Sequence, residues 1–481
     1  MEQLGFIDLL MGPLYLGIIY LIAYRLRKKF TTKETREYFF KALHLKMIGA
    51  VMLGIIFQYY YGFGDSLLFH HLANFAYHAF TENFEAFIRL TFYPIVDYDP
   101  VTAYYTPGNI FYVKKDHSTY FVIRIIGVLS ILNFHSYMAS ALVFGFVSFI
   151  GAWSMFLTFI DMYPKLIKKF AIAVFFLPSV FFWGSGLMKD SLCFGALGIT
   201  FYGFYWAIIK RQKIVSNALL VVLGMLLLFK IKIYILLCFI PMLAIWTYLH
   251  YLIKIKSAFL KFVLAPFILV MSLGLGVYAV LTLSQNSGYE VDNLAAKTRI
   301  TANYLQNMSQ QGSVYYLGEF DGSITSLLSY FPQAVAVSLY RPFLWEARNP
   351  FSLLSAIEAS YFIWLTLLVF VKVKIKNFIK TFLREPIVLA SLFFAISFSF
   401  AVGINSGNFG SLVRYKIPMM PFYIGALMIM LESNRKKTVT EQSMELLQLR
   451  EKEENIEEEQ TANDVANEYD RRPKIPKRFK T

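Results

Sequence analysis

Four stretches of this chain combine groups that can move a proton or hold an anion, and each stands beside an apolar run. The first is Tyr59-Tyr60-Tyr61-Gly62-Phe63-Gly64-Asp65-Ser66. Its glycines let the chain turn, which places Asp65 at the start of the next helix. A carboxylate there can cap that helix, ligate a metal, or deprotonate an acceptor as general base. The second, Pro178 to Asp190, reads as a broken hairpin between two short spans. Its Lys189 and Asp190 either neutralise each other or leave Lys189 to bind a phosphate, because ionisable groups at such depth need a partner or a cavity.

The third is Tyr340-Arg341-Pro342-Phe343-Leu344-Trp345-Glu346. Arg341 can pair with Glu346 or bind an anion. Glu358, a few turns on, falls inside a span, and the sequence names no partner for it. The fourth, Asn408 to Pro418, carries Arg414, Tyr415 and Lys416 just before the last apolar run. Cations there either snorkel to the headgroups or bind a phosphate or diphosphate, which Arg does bidentately. Lys230 and Lys232 break another helical hairpin and could join them. An acid and several cations on one face suit transfer from a lipid phosphate. The candidates are Asp65 as catalytic base and Lys189, Arg341, Arg414 and Lys416 as phosphate ligands, with Asp190, Glu346 and Tyr415 beside them.

The elements that must position these groups are membrane helices. Of 481 residues 57% are hydrophobic and only 16% charged, below the roughly one quarter of soluble domains. Apolar runs fall at roughly 5–25, 38–58, 136–161, 169–185, 189–209, 214–230, 232–253, 258–283, 352–371, 386–403 and 416–432, giving about eleven crossings of an all-α polytopic domain over 1–433. Residues 434–481 form a charged tail, partly helical or disordered, acidic over Glu441 to Glu459 and basic at its end. It reads as a solvated segment or a docking site for a protein or anionic lipid.

The net charge of +15 does not imply nucleic acid, because the basic residues flank apolar spans. Clusters at Arg25 to Lys29, Lys165 to Lys169, Lys210 to Lys213, Lys254 and Lys256, Lys372 to Lys380, and Arg435 to Lys437 alternate with basic-poor loops. By the positive-inside rule the clusters are cytoplasmic, the N-terminus outside and the C-terminus inside, and the expected location is a bacterial cytoplasmic membrane. Two long outer loops result, about 59–118 and 284–351. In the first, Leu67, Leu68, His71, Leu72, Phe75 and His78 predict an amphipathic helix over 66–92. Residues 119–134, with Arg124 in the middle, are expected as an interfacial helix. Cys193 and Cys238 read as small core hydrophobes. The N-terminus does not look like a cleaved signal peptide. Nucleotide-binding loops of the Walker A or Rossmann kind do not occur.

With Gly64-Asp65 in the first outer loop, the surface helices after it, the Pro178 to Asp190 hairpin and Arg414-Tyr415-Lys416-Ile417-Pro418 before a late span, the chain resembles the GT-C class of polytopic glycosyltransferases. That resemblance implies a polyprenyl-phosphate-linked sugar as donor, an acceptor on the outer side of the membrane, and a catalytic acid at Asp65. The chain departs from the pattern in an extra span before that loop and in the lack of a large soluble domain after the last one. Asp97 and Asp99 are the nearest approach to an acidic pair for a divalent metal. Two other readings stand beside it. An O-antigen-polymerase or ligase-like enzyme would act through Arg341 in the second loop. A transporter or envelope-complex subunit would use charges within the membrane, such as Glu358 and, near the inner end of the second span, Lys41, His44 and Lys46.

Overall fold

The computed structural model describes residues 4–94, 98–106, 116–255, 315, 317–318 and 324–435, and their elements are helical. The chain opens with α1 (Phe6–Phe30) and α2 (Arg36–Ile56), followed by α3 (Asp65–Glu82), α4 (Phe84–Phe92) and α5 (His117–Asn133). Then come α6 (Tyr137–Met162), α7 (Lys189–Phe204), α8 (Ile214–Ile231) and α9 (Ile233–Lys254). The last group is α10 (Phe331–Tyr340), α11 (Pro350–Lys372), α12 (Ile375–Arg384), α13 (Pro386–Ser406), α14 (Phe409–Tyr415) and α15 (420–435). Among the described residues eight of these, α1, α2, α6, α7, α8, α9, α11 and α13, are long and apolar enough to cross a membrane. The chain is thus a multi-pass membrane protein.

The remaining expected spans differ in kind. Residues 258–283 and the tail from 436 lie outside the described residues. Residues 420–435 are helical. The run 169–185 is not one helix: a π turn at Ile172–Phe176 ends in extended Leu177, and Pro178–Phe181 is a separate helical turn. The expected helix over 66–92 is two, because Asn83 leaves helical geometry and caps α4 by accepting from the Ala86 amide at 3.2 Å. Its buried face is also rotated. Ser66, Phe69, His70 and Ala73 are buried, whereas Leu68 and His78 are exposed. Residues 119–133 fall within α5, whose Arg124 donates to the Leu90 carbonyl at 2.9 Å and also to that of Tyr93. Asp8 accepts from the Ser136 hydroxyl at 2.7 Å and the Met138 amide at 2.8 Å, so the first span is tied to the start of α6.

Small residues set the central packing. A Cβ on Gly151 of α6 would lie 2.1 Å from the Gly195 carbonyl of α7, and one on Gly198 would lie 2.0 Å from that of Gly151. Glycine lets the two backbones touch there, which favours association of apolar helices in lipid.

The break before α7 exposes backbone groups that a membrane interior leaves unpaired. Two buried charges satisfy them. Glu358 of α11 accepts from the Ser179 amide and hydroxyl, both at 2.9 Å, at the positive end of the Pro178–Phe181 turn. Lys46 of α2 donates to the Val180 and Gly184 carbonyls at 2.8 Å and to the Ser148 hydroxyl at 2.9 Å. Lys46 lies midway along α2 rather than near its inner end. Of the charges named for a transport path, Glu358 and Lys46 thus anchor the hairpin, whereas Lys41 pairs with Glu37 at 3.8 Å on the exposed side of α2. Since Gly184 O also accepts from Ser148 at 2.6 Å, Lys46→Met orphans chiefly Val180 O. That loss is expected to destabilise the protein by about 1–3 kcal/mol, measured by unfolding in mixed micelles.

Candidate functional site

Asp65 is the first residue of α3. Its predecessor Gly64 sits at φ +142°, a conformation L side chains rarely adopt, and a Cβ there would meet the Phe57 ring at 2.4 Å. With Gly64 at the N-cap, the Asp65 side chain does not cap its own helix. Instead Asp65 Oδ2 accepts from Arg414 Nη2 at 2.9 Å, across 349 positions of sequence. Arg414 comes from α14, the short helix before α15.

Behind this pair lies Asp190, whose side chain is only 3% exposed. Its Oδ1 takes Lys232 Nζ at 2.5 Å, and its Oδ2 faces Arg414 Nε at 3.5 Å. The second contact is an electrostatic one. Neither Oδ2 nor Nε completes a hydrogen bond. Lys232 also stands 4.3 Å over the Tyr415 ring. Burial pushes Lys232 towards neutrality, but Asp190 outweighs it and holds the ammonium above the ordinary lysine range. Burial works against Arg414 in the same way, and Asp190 and Asp65 together keep its guanidinium charged.

Lys189 does not pair with its neighbour Asp190. It turns to the start of α5, donating to the Ser118 hydroxyl at 2.8 Å and the Thr119 hydroxyl at 2.6 Å, with Asp116 at 3.5 Å. Burial alone would raise the Asp116 carboxyl, but the Thr119 hydroxyl, the Lys189 charge and Ser118 hold it at about 2. Lys189 Nζ also lies 5.7 Å over Phe69 of α3. The ends of α3, α5, α7, α8 and α14 thus meet in one charged layer in which three acids, Asp65, Asp116 and Asp190, face three cations, Lys189, Lys232 and Arg414.

Arg341, Glu346 and Lys416 do not join that layer. Arg341 Nε donates to Glu346 Oε2 at 3.0 Å, and its second nitrogen also meets that carboxylate. The Arg341 guanidinium stands 5.1 Å from the Phe409 ring centroid, at the first residue of α14. Lys416 is fully buried. Its Nζ reaches the Arg341 carbonyl at 3.4 Å. Arg341 thus reaches both ends of the seven-residue α14, its guanidinium at Phe409 and its carbonyl at the C-cap Lys416, two residues beyond Arg414.

Beside Arg341 a groove of about 700 Å³ opens between α10 and α11. Val337, Tyr340, Ile363, Thr366 and Phe370 line it, and Phe370 is 72% exposed at its edge. At its base the Tyr423 hydroxyl meets those of Tyr340 at 2.9 Å and Thr366 at 2.7 Å.

Asp99 is engaged by Arg89 at 3.3 Å and by the Val101 amide at 3.0 Å, and Asp97 lies outside the described residues. Among the described residues, His, Cys, Asp and Glu side chains do not converge in groups of three or more that could hold a metal.

A histidine pair also lies here that the sequence pattern does not reveal. His70 of α3 and His135, between α5 and α6, stack with centroids 4.0 Å apart and planes 7° apart. Burial, with the His78 charge second, lowers His135 to about 4, so at neutral pH it is an uncharged packing group that holds α3 in place. The His70 to His135 separation of 65 positions gives no local signal of this contact.

Comparison with protein-family models, with curated proteins and with solved structures gives no match to this chain.

Proposed function

We propose that this protein is a membrane glycosyltransferase that moves a sugar from a lipid-phosphate-linked donor to an acceptor on the outer side of the cytoplasmic membrane. The observation that carries the reading is the Asp65–Arg414–Asp190–Lys232 chain, an accessible acid in contact with buried-side cations. In this reaction the bond between the sugar's anomeric carbon and the phosphate oxygen breaks, and the oxygen keeps the electron pair. A bond forms from the acceptor hydroxyl to the same carbon, and Asp65 takes the hydroxyl proton. Arg414 and Lys232 meet the negative charge that develops on the departing phosphate. Their fixed partner Asp190 keeps both aimed before substrate arrives.

The groove beside Arg341 supports a lipidic donor. It is mostly apolar, opens at the exposed Phe370, and is linked to the charged layer by α14. Polyprenyl chains have the shape and polarity for such a groove. In the polymerase-like reading the Arg341–Glu346 pair at the groove, rather than Asp65, would bear the chemistry.

The test is reconstitution of the whole chain in liposomes containing a polyprenyl-phosphate-linked sugar, with products read by mass spectrometry and solute uptake read in parallel. A covalently glycosylated acceptor that depends on the protein is the expected result. Solute accumulation without such a product would assign the chain to transport instead.

A further inference from the structure

The charged layer holds equal numbers of acids and cations, so an incoming phosphate must displace a carboxylate or be repelled by one. The two acids on Arg414 are not equivalent. Asp190 is 3% exposed and also holds Lys232, whereas Asp65 is 52% exposed and meets Arg414 through a single hydrogen bond. Arg414 itself is 17% exposed, with Asp65 on its accessible side.

We propose that Asp65 occupies, in the ligand-free protein, the position on Arg414 that the phosphate of the ligand takes, and that phosphate binding expels it. This rests on the reading above and deepens it: the displaced carboxylate is the one that then meets the acceptor hydroxyl. Three features favour the exchange. An ion pair with one exposed partner is weak, while a phosphate offers a guanidinium two parallel contacts. Arg414 Nε is buried against Asp190, so the exchange leaves that contact in place and changes only the partner of Nη2. Asp65 also follows a turn with left-handed glycines at Gly62 and Gly64, and as the first residue of α3 it can change rotamer without moving the helix. Lys189, close enough to feel the Asp65 charge, offers the displaced carboxylate a second cation.

The ligand class is a phosphate monoester or diphosphate, either free or as a lipid headgroup. The experiment uses the full chain in phosphatidylcholine nanodiscs. One arm titrates inorganic diphosphate, and the other compares nanodiscs carrying phosphatidic acid, a phosphomonoester lipid. Asp65→Asn and Asp65→Ala are expected to bind about 5- to 10-fold tighter than wild type, because a competitor and a like charge are both removed. Arg414→Gln should lose that binding. Tightening in the diphosphate arm alone marks a free phosphate, and tightening with phosphatidic acid alone marks a lipid headgroup. Equal or weaker binding by both Asp65 variants in both arms overturns the proposal, as does undiminished binding by Arg414→Gln. Transfer is scored separately. Tighter binding with wild-type transfer would keep the displacement and remove Asp65 from catalysis. Unchanged binding with lost transfer would do the reverse.

Discussion

Asp65→Asn is expected to lower the rate of sugar transfer by about 10²- to 10⁴-fold, the usual contribution of a positioned general base, while the protein stays folded. The two halves of this expectation come from the same geometry. Asp65 is half exposed and holds one contact to Arg414, so removing its charge costs about 0–1 kcal/mol of stability. The amide cannot accept the acceptor's proton, and Asp190, the nearest other acid on Arg414, is buried behind the guanidinium and engaged by Lys232. Initial transfer rates per reconstituted molecule, with thermal unfolding of the same preparation, measure both. A variant that transfers normally would remove Asp65 from the chemistry.

Asp190→Asn should have the opposite profile, with a loss of about 3–5 kcal/mol of stability, because it leaves buried cations without their acid. Among the described residues Asp190 is the one carboxylate in contact with both Lys232 and Arg414, so its removal unbalances both at once. A second substitution separates this cause from simple loss of packing. Asp190→Asn combined with Lys232→Met removes the acid and the cation together, and should recover a substantial part of the loss, since neutral replacement of a buried pair is nearly free. Unfolding free energies of the two single variants and the double variant give the coupling directly. Additive losses would mean that the pair is not a unit.

What the sequence made legible follows from which forces are local. Long apolar helices announce themselves by length and hydropathy, so eight expected spans appear as helices among the described residues. Five of the six members of the charged layer were legible, but Asp116, the N-cap of α5, was not, and the pairing only partly so. Asp65, Lys189, Asp190 and Arg414 all stand beside span ends, and Lys232 interrupts a helical hairpin, so their approach to one surface follows from topology. Which acid meets which cation depends on side-chain direction at helix starts. Lys189 and Asp190 are adjacent, yet they point to α5 and to α8 respectively. The Arg341–Glu346 pair, five residues apart, is local, and the sequence offers it beside anion binding by Arg341.

The hairpin anchors were illegible for a different reason. Lys46 and Glu358 are recognisable as costly charges, but the acceptors of Lys46 and the amide held by Glu358 are mostly backbone, which carries no sequence signature. The break at Leu177 likewise hides in an apolar run, with Pro178 as its single mark. The split of 66–92 at Asn83 was missed because a capping asparagine interrupts the backbone without interrupting the apolar pattern. The basic amphipathic helix α12 lies where a plain loop between spans was expected, its lysines having been counted only as topology signals.

In the proposed reading, transfer chemistry belongs to the Asp65–Arg414 contact and not to the Arg341–Glu346 pair. A single transfer assay on Asp65→Asn and Arg341→Ala, both reconstituted at equal protein with the same lipid-linked donor, decides between them. Asp65→Asn is expected to lose transfer by about 10²-fold or more while Arg341→Ala keeps it within about ten-fold, with any loss appearing in donor KM. Normal transfer by Asp65→Asn together with a dead Arg341→Ala would contradict that reading.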